Sequence, residues 1–447
     1  MSMRKSIFCL ILCVCGITVF ASHEFRLGVK VEAGAHAVFV RDFEGFFSDE
    51  NALFLYVTAM QPEIYEKAIS SLHLSVDSEK LTRIAENLKA VGVSYVILPA
   101  KNYDGFCFFD SDVCDYNIKD YTETKSDWLF AVSQACRNVG LRVGFSYSVI
   151  DWHHPSQIQY RKDGRRFPVK MNTVINDGMK DEYLDYMTTQ LKELTVDYKA
   201  DLIWFDGGWA PWWTRDDAES VLRQLKEINP NLKIGGRVRI DRLPALEDVD
   251  LYTHFPSDFK LRKRNRPWIY LMKTFTGVDQ ITNEILYRDG KTLIKTAADV
   301  WSRGGGFLIG LDVTAEAFVS PSSLKILKTA GQWLKINREA VFDADVVAPK
   351  RRFSKEILFV KEDTIYCLQM RRSFPSNGNQ SLRLPVPKQL MTTAVKEAFL
   401  LTEEGRIPIT VVSDKKGRLL RLEVPPKYRE EYENLFLPIY GFVTGEK

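Results

Sequence analysis

From about residue 36 to residue 311 the chain alternates short, mostly continuous apolar runs with stretches of helical periodicity, and this alternation restricts the fold more than any other feature. The runs His36–Phe43, Tyr95–Lys101, Arg142–Ser148, Leu202–Gly208, Lys233–Val238, Asp250–Phe255, Trp268–Lys273 and Gly306–Leu311 have the make-up of strands covered on both faces. Between them, Asp77–Val91 opens on an Asp/Ser cap signal and sets Leu81, Ile84, Leu88 and Val91 at helical spacing. Asp127–Val139, Asp181–Tyr198 and Asp216–Ile228 read the same way, the last stopped by Asn229-Pro230. Eight strands with helices between them predict a (β/α)8-like TIM barrel. A doubly wound sheet is the competitor, but no glycine-rich phosphate loop follows any of these runs. The connections around the fifth to seventh strands are roughly a dozen residues long. Full helices do not fit there, so the barrel is expected to be imperfect on that side.

Past about Ala340 the pattern changes to short strands with turn signals. Glu356–Val360, Thr364–Arg371, Ser381–Leu384, Ala394–Leu400 and Leu419–Val424 predict a small antiparallel β-sandwich, joined through Val347-Ala348-Pro349. The expected organisation is a leader over residues 1–21, a barrel over 22–342 and a sandwich over 343–447. The leader reading rests on Arg4 and Lys5 ahead of the apolar run Ile7–Phe20, which is too short for a comfortable membrane span. Val19-Phe20-Ala21 then predicts cleavage after Ala21 and export to the periplasm or outside the cell. A retained anchor is the alternative, and Val14 makes Cys15 a poor lipidation site. Without Arg4 and Lys5 the net charge falls from +3 to +1, so nothing in it points to nucleic acid or an anionic membrane. Cys107, Cys114, Cys136 and Cys367 lack metal-ligand spacing and read as free thiols, with a Cys107–Cys114 pair as the alternative. No cofactor and no metal is expected.

In a barrel the chemistry sits where strands end. The most informative such end is Leu202-Ile203-Trp204-Phe205-Asp206-Gly207-Gly208-Trp209, with Trp212 and Trp213 just beyond. A carboxylate among aromatic faces suits a sugar, whose C–H face stacks while its hydroxyls seek polar groups. There Asp206 is placed to attack an anomeric carbon, as the nucleophile of a retaining glycosidase does. Capping of the following turn is the alternative use. Other strand ends offer Asn102 and Tyr103, Tyr147, Asp151-Trp152-His153-His154, Arg237, His254 and Lys273, which suits a polyhydroxylated ligand. His153 and His154 read as a packed, hydrogen-bonded loop in preference to a metal pair.

Several phrases resemble glycoside hydrolase family 29, the α-L-fucosidases. Tyr95 to Cys107 resembles the family's "YVILTAKHHDGFC", Asp115-Tyr116-Asn117 its "DYN", and Val143 to Pro155 its "VGFYYSLIDWHHP". Trp204-Phe205-Asp206-Gly207 is similar to the "WFDG" that holds the nucleophile. Arg266-Pro267-Trp268, Trp301 to Gly305 and Gly331 to Asn337 resemble three further family phrases in the same order. The resemblance implies a barrel followed by a sandwich and a retaining mechanism on an α-L-fucoside, with Asp206 as nucleophile. It also implies Trp204 beside that nucleophile, Arg237 near the site and Tyr147 lining the pocket. Trp209 and His254 complete the expected sugar-binding set.

The departures are specific. The family's paired histidines stand here as Asn102 and Tyr103, and Tyr252 to Pro256 occupies the stretch where its acid/base glutamate is expected. Asp258, Asp279 and Glu284 are the candidates for the second carboxyl, with Glu284 preferred. The expected function is release of α-L-fucose or a related L-sugar, such as an L-galactoside or O-methylated fucoside, from oligosaccharide or polysaccharide. The alternative is a non-catalytic glycan-binding protein that kept the barrel.

Overall fold

The computed structural model describes residues 27–32, 69–70, 73–157, 174–239, 246, 249–254, 268–278, 285–303, 305–312, 319–347, 356–370, 382–385, 394–413, 419–428 and 435–445. The leader and the run His36–Phe43 lie outside them. The described chain divides into two compact units, one of Leu27–Asp289 with Phe307–Leu327, the other of Gly290–Gly306 with Lys328–Lys447.

The first unit is built on eight strands: β1 (Leu27–Glu32), β2 (Tyr95–Lys101), β3 (Arg142–Ser148), β4 (Leu202–Asp206), β5 (Lys233–Gly236), β6 (Leu251–His254), β7 (Trp268–Lys273) and, after the hairpin β8 (Phe275–Val278) and β9 (Ile285–Tyr287), β10 (Gly306–Asp312). They close a barrel in the order β1-β10-β7-β6-β5-β4-β3-β2. β1 runs parallel to both β2 and β10, and β2 to β7 pair in parallel in chain order. Seven of the eight strands coincide with expected runs. The first does not: Leu27–Glu32 takes the place that His36–Phe43 was expected to fill. Leu27, Val29 and Val31 alternate with Gly28, Lys30 and Glu32, a period-two pattern that a search for continuous apolar runs passes over.

The apolar runs form strands because a parallel strand under helices is covered on both faces. All seven residues of β2 are buried, and Val143, Phe145, Ile203, Phe205, Ile234 and Ile269 are fully so. Helices α1 (Ser78–Ala90), α2 (Ile118–Tyr121), α3 (Trp128–Asn138), α4 (Lys180–Val196) and α5 (Arg215–Ile228) lie between β1 and β5 in the chain. α1 begins where Asp77 accepts the Lys80 N–H at 3.0 Å, and it buries Leu81, Ile84, Ala85 and Leu88. α5 begins with a reciprocal cap between Thr214 and Asp217. Most of the two connections between β5 and β7, where the sequence leaves little room for full helices, lies outside the described residues.

The second unit holds α6 (Gly290–Ser302), the end of α7 (Pro321–Ile336), α8 (Arg338–Val341) and strands β11 (Asp345–Val347), β12 (Glu356–Lys361), β13 (Thr364–Gln369), β14 (Leu382–Pro385), β15 (Ala394–Thr402), β16 (Gly405–Pro408), β17 (Thr410–Ser413), β18 (Leu419–Glu423) and β19 (Ile439–Gly445). Six strands form one antiparallel sheet in the order β11-β12-β13-β19-β15-β16, and β14-β18-β17 form another. Ile365, Cys367, Leu400, Tyr440 and Phe442 of the larger sheet pack with Leu422 of the smaller one, giving the two layers a shared core. β19 is central, although Gly441 interrupts its apolar run. A Cβ at that position would lie 2.1 Å from the Phe399 ring, so the glycine makes room for an aromatic side chain of the neighbouring strand. Gly441→Val is therefore expected to lower unfolding free energy by about 1–3 kcal/mol in urea denaturation through overpacking. Adding Phe399→Leu should restore part of the loss.

Candidate active site

The rim formed by the C-terminal ends of the strands brings together residues far apart in sequence. Asp206 ends β4 directly opposite Ser148 of β3. The Val149 N–H donates to the Asp206 carbonyl at 3.0 Å, and the Arg237 N–H donates to the Phe205 carbonyl at 2.7 Å. These bonds lock the loops after β3, β4 and β5 to one another. Gly208 permits the closest approach, since a Cβ there would sit 2.1 Å from the Arg237 carbonyl.

The Asp206 side chain is 18% exposed and that of Arg237 is 22% exposed, with Arg237 Nε 3.7 Å from Asp206 Oδ1. The Gly207 N–H also reaches Oδ1, at 3.1 Å. Both contacts fall on one oxygen, and among the described residues no hydrogen bond reaches Oδ2. Asp206 is thus a sheltered but accessible carboxylate, and among the described residues the turn contact with Gly207 uses only one of its oxygens. The Arg237 guanidinium carbon lies 5.3 Å from the centre of the Trp209 ring. Trp209 in turn meets Tyr103 at 5.4 Å between ring centres, and Tyr103 meets Trp152 at 5.7 Å. Tyr103, Trp152 and Trp209 therefore form one aromatic wall, continued by Arg237 to Asp206. Such a surface stacks against the C–H face of a sugar while a carboxylate addresses its polar edge.

The profile of the alpha-L-fucosidase family matches residues 77–339. The chain belongs to the alpha-L-fucosidase family. It is similar to the tissue alpha-L-fucosidase of Macaca fascicularis, 23% identical over 358 residues, 76% of this chain and 70% of that protein. Among solved structures it is similar to alpha-L-fucosidase isoenzyme 1 of Paenibacillus thiaminolyticus, with a TM-score of 0.75 and 23% identity over 95% of this chain and 98% of that one. It is also similar to a Bacteroides thetaiotaomicron alpha-L-fucosidase of family 29, solved as a trapped covalent intermediate with 2-fluoro-fucosyl fluoride (TM-score 0.73, 20% identity, 96% of this chain and 99% of that one). This chain is thus a fucosidase-like glycoside hydrolase.

Of the residues expected to act in this fucosidase-like chain, the structure brings Asp206, Arg237, Trp209 and Tyr103 together, with Asn102 next to Tyr103 at the end of β2. His254 ends β6, opposite Tyr270 of β7. Glu284, like Asp258 and Asp279, lies outside the described residues; in the chain it immediately precedes β9. Trp204 shares the face of β4 that carries Asp206, but it is 2% exposed and lies one strand pair deeper, against Gly235. It lies beneath the rim rather than forming part of the open wall.

Tyr147 does not line the mouth. It is fully buried, and its hydroxyl donates to Gln190 Oε1 of α4 at 2.7 Å. Tyr147 pairs with Phe205, whereas Ser148 pairs with Asp206, so alternation along the strands sends Tyr147 to the helix side. Trp152, which the sequence offers only within the strand-end segment Asp151–His154, joins the wall; its signal in the sequence is an aromatic residue within four positions of the end of a barrel strand. His153 stacks on Tyr116 with ring centres 3.8 Å apart, and His154 Nδ1 is 2.8 Å from Ser156 Oγ, which is the packed loop expected. The four described cysteines are free thiols.

Behind the wall lies a buried ion pair. Lys101 Nζ is 3.1 Å from Asp151 Oδ2, with side-chain exposures of 0% and 1%. Burial alone would push the lysine down. The Tyr147 and Tyr183 rings and the Asp151 carboxylate outweigh it and hold Lys101 well above its ordinary value. Burial pushes Asp151 up, but Lys101 and the His154 N–H outweigh it, so the carboxyl sits below its usual range. Its stabilising contribution is therefore complete above the unfolded value near pH 4 and is lost as pH falls through the lower folded value. Lys101→Met should cost about 3–5 kcal/mol in urea unfolding near neutral pH, because it strands a buried carboxylate. Below pH 3 the gap between the variant and the parent should narrow.

Proposed function

We propose that this protein is a retaining exo-glycosidase that releases α-L-fucose or a related L-sugar from glycans, with Asp206 as the nucleophile. The observation that carries the reading is the sheltered but accessible Asp206 carboxylate standing beside Arg237 and the Tyr103–Trp152–Trp209 wall. Asp206 Oδ2 attacks the anomeric carbon, the glycosidic bond breaks, and a covalent glycosyl-enzyme forms on Asp206. Water then displaces the sugar with net retention. The similarity to a fucosidase trapped as a covalent intermediate supports this course. Arg237, 3.7 Å from Oδ1, orients the carboxylate and balances its charge.

A second carboxyl, about 5–5.5 Å from the nucleophile, must protonate the leaving oxygen and later activate water. We assign this role to Glu284. In support, Glu284 directly precedes the second strand of the β8–β9 hairpin, whose first strand begins at Phe275, two residues past the rim end of β7. His254, at the end of β6, is assigned to the sugar hydroxyls. Asn102 and Tyr103, standing where the family has histidines, favour a glycone other than unmodified fucose, because an aromatic face there rewards an apolar substituent more than a hydroxyl. We further propose that residues 1–21 direct export and are removed, that the hydrolase domain runs to about residue 342, and that the substrates are glycans outside the cell. Nothing described favours the non-catalytic binding alternative.

The test uses nitrophenyl α-L-fucoside and nitrophenyl α-L-galactoside. Asp206→Ala should lower kcat/KM by about a thousandfold or more while leaving the unfolding midpoint within a few degrees of the parent. Glu284→Gln should slow an alkyl fucoside far more than the nitrophenyl one, since an activated aryl leaving group needs little acid assistance. Absence of release by the parent protein from either aryl glycoside, or an Asp206→Ala variant as active as the parent, would sink the proposal.

A further inference from the structure

The Lys101–Asp151 pair carries an inference that rests on the reading of the rim as a glycoside-cleaving site. The register between β2 and β3 slips at Ala100: Pro99 pairs with Ser146, but Lys101 pairs with Tyr147. The slip turns Lys101 to the helix side of the sheet, while the next two residues, Asn102 and Tyr103, continue into the rim loop. There the ammonium is enclosed. It donates to Asp151 Oδ2 and to the Tyr183 hydroxyl at 3.2 Å, and it lies 4.5 Å from the centre of the Tyr147 ring and 5.3 Å from those of Tyr183 and Tyr186.

The other oxygen of Asp151 faces the opposite way. Oδ1 accepts the N–H groups of His153 at 3.0 Å and His154 at 2.8 Å, and so fixes the backbone on the far side of Trp152. On its near side, the Asp151 N–H donates to Gln157 Oε1 at 3.1 Å. The Trp152 N–H donates to the Tyr103 carbonyl at 2.8 Å. The loop after β2 is fitted against the same carboxylate. Gly105, at φ +81°, would place any Cβ 2.1 Å from Asp151 Oδ1. One buried carboxylate thus fixes two of the three loops that present the aromatic wall, those of Tyr103 and Trp152, and the buried lysine fixes the carboxylate.

We propose that Lys101 and Asp151 are positioning residues for substrate binding: without touching the ligand, their ion pair sets Tyr103 and Trp152 at the spacing that receives the sugar ring. Two unsupported rim loops would otherwise sample many arrangements, and sub-ångström placement of a stacking face governs how well it is met. A pair serving stability alone would change the folded fraction and leave the affinity of the folded enzyme unaltered.

The decisive variant is the double substitution Lys101→Met with Asp151→Leu, which deletes both buried charges together and so avoids stranding either. With nitrophenyl α-L-fucoside, its KM should rise about tenfold or more while kcat stays within about threefold of the parent. The double substitution Lys101→Met with Asp151→Asn keeps a neutral acceptor for the His153 and His154 N–H groups and should recover most of the KM. A parent-like KM in the Leu double, or a loss confined to kcat, overturns the proposal. If neither double folds, amide exchange of the parent protein in D2O decides. The His153 and His154 amides should exchange as slowly as those of β3, and exchange at open-loop rates overturns the proposal. Parent protein inactive on both aryl glycosides would strike the hydrolase reading instead, leaving the exchange result to report on the anchor alone.

Discussion

Closure of eight strands into one ring, with parallel hydrogen bonding between the chain neighbours, is the constraint from which the site follows. Parallel strands point their C-terminal ends to a single rim, so residues as distant in sequence as Tyr103, Trp152, Asp206 and Arg237 meet there without any local signal linking them. The register then decides depth. Because Ser148 pairs with Asp206 and Phe205 with Gly236, the nucleophile candidate lies at the very edge of the sheet, and Arg237 begins the next loop beside it. Had β4 slipped by one residue, its carboxylate would have faced the helices.

The rim alone does not give loops a shape. Here shape comes from a charge held out of water. A lysine and an aspartate with almost no exposure are tolerable only because each is fully engaged: the ammonium by a carboxylate, a phenol and aromatic faces, the carboxylate by the ammonium and two backbone N–H groups. Groups so engaged have few alternative positions, which is what a precise binding wall requires. The same region explains why Tyr147, conspicuous in the family-like phrase, works on the structural side. Its ring lies over the lysine and its hydroxyl bonds α4.

The sequence reading was reliable where one short segment contains its own physics. Continuous apolar runs announced seven barrel strands because burial on both faces leaves little place for polar residues. Asp77 and Thr214 marked helix starts because capping involves only the next three residues. It was less reliable where the deciding partner lies elsewhere in the chain. β1 alternates polar with apolar residues and was passed over, and β19 contains a glycine whose purpose is visible only beside Phe399. Tyr147 and Trp204 were both read as pocket residues, yet one faces the helices and the other lies beneath the rim.

By itself, then, the sequence determined the class of fold, the family and the strand end on which the nucleophile candidate stands, since periodicity and contiguous motifs are properties of short stretches. Tertiary structure alone decided which aromatic residues form the wall, that a slip at Ala100 turns Lys101 away from it, and that Asp151 holds the rim loops after β2 and β3. These are matters of direction. A side chain's direction depends on strand register and on partners 50 or more residues away, as for Lys101 and Asp151, and no local pattern of residue types encodes it.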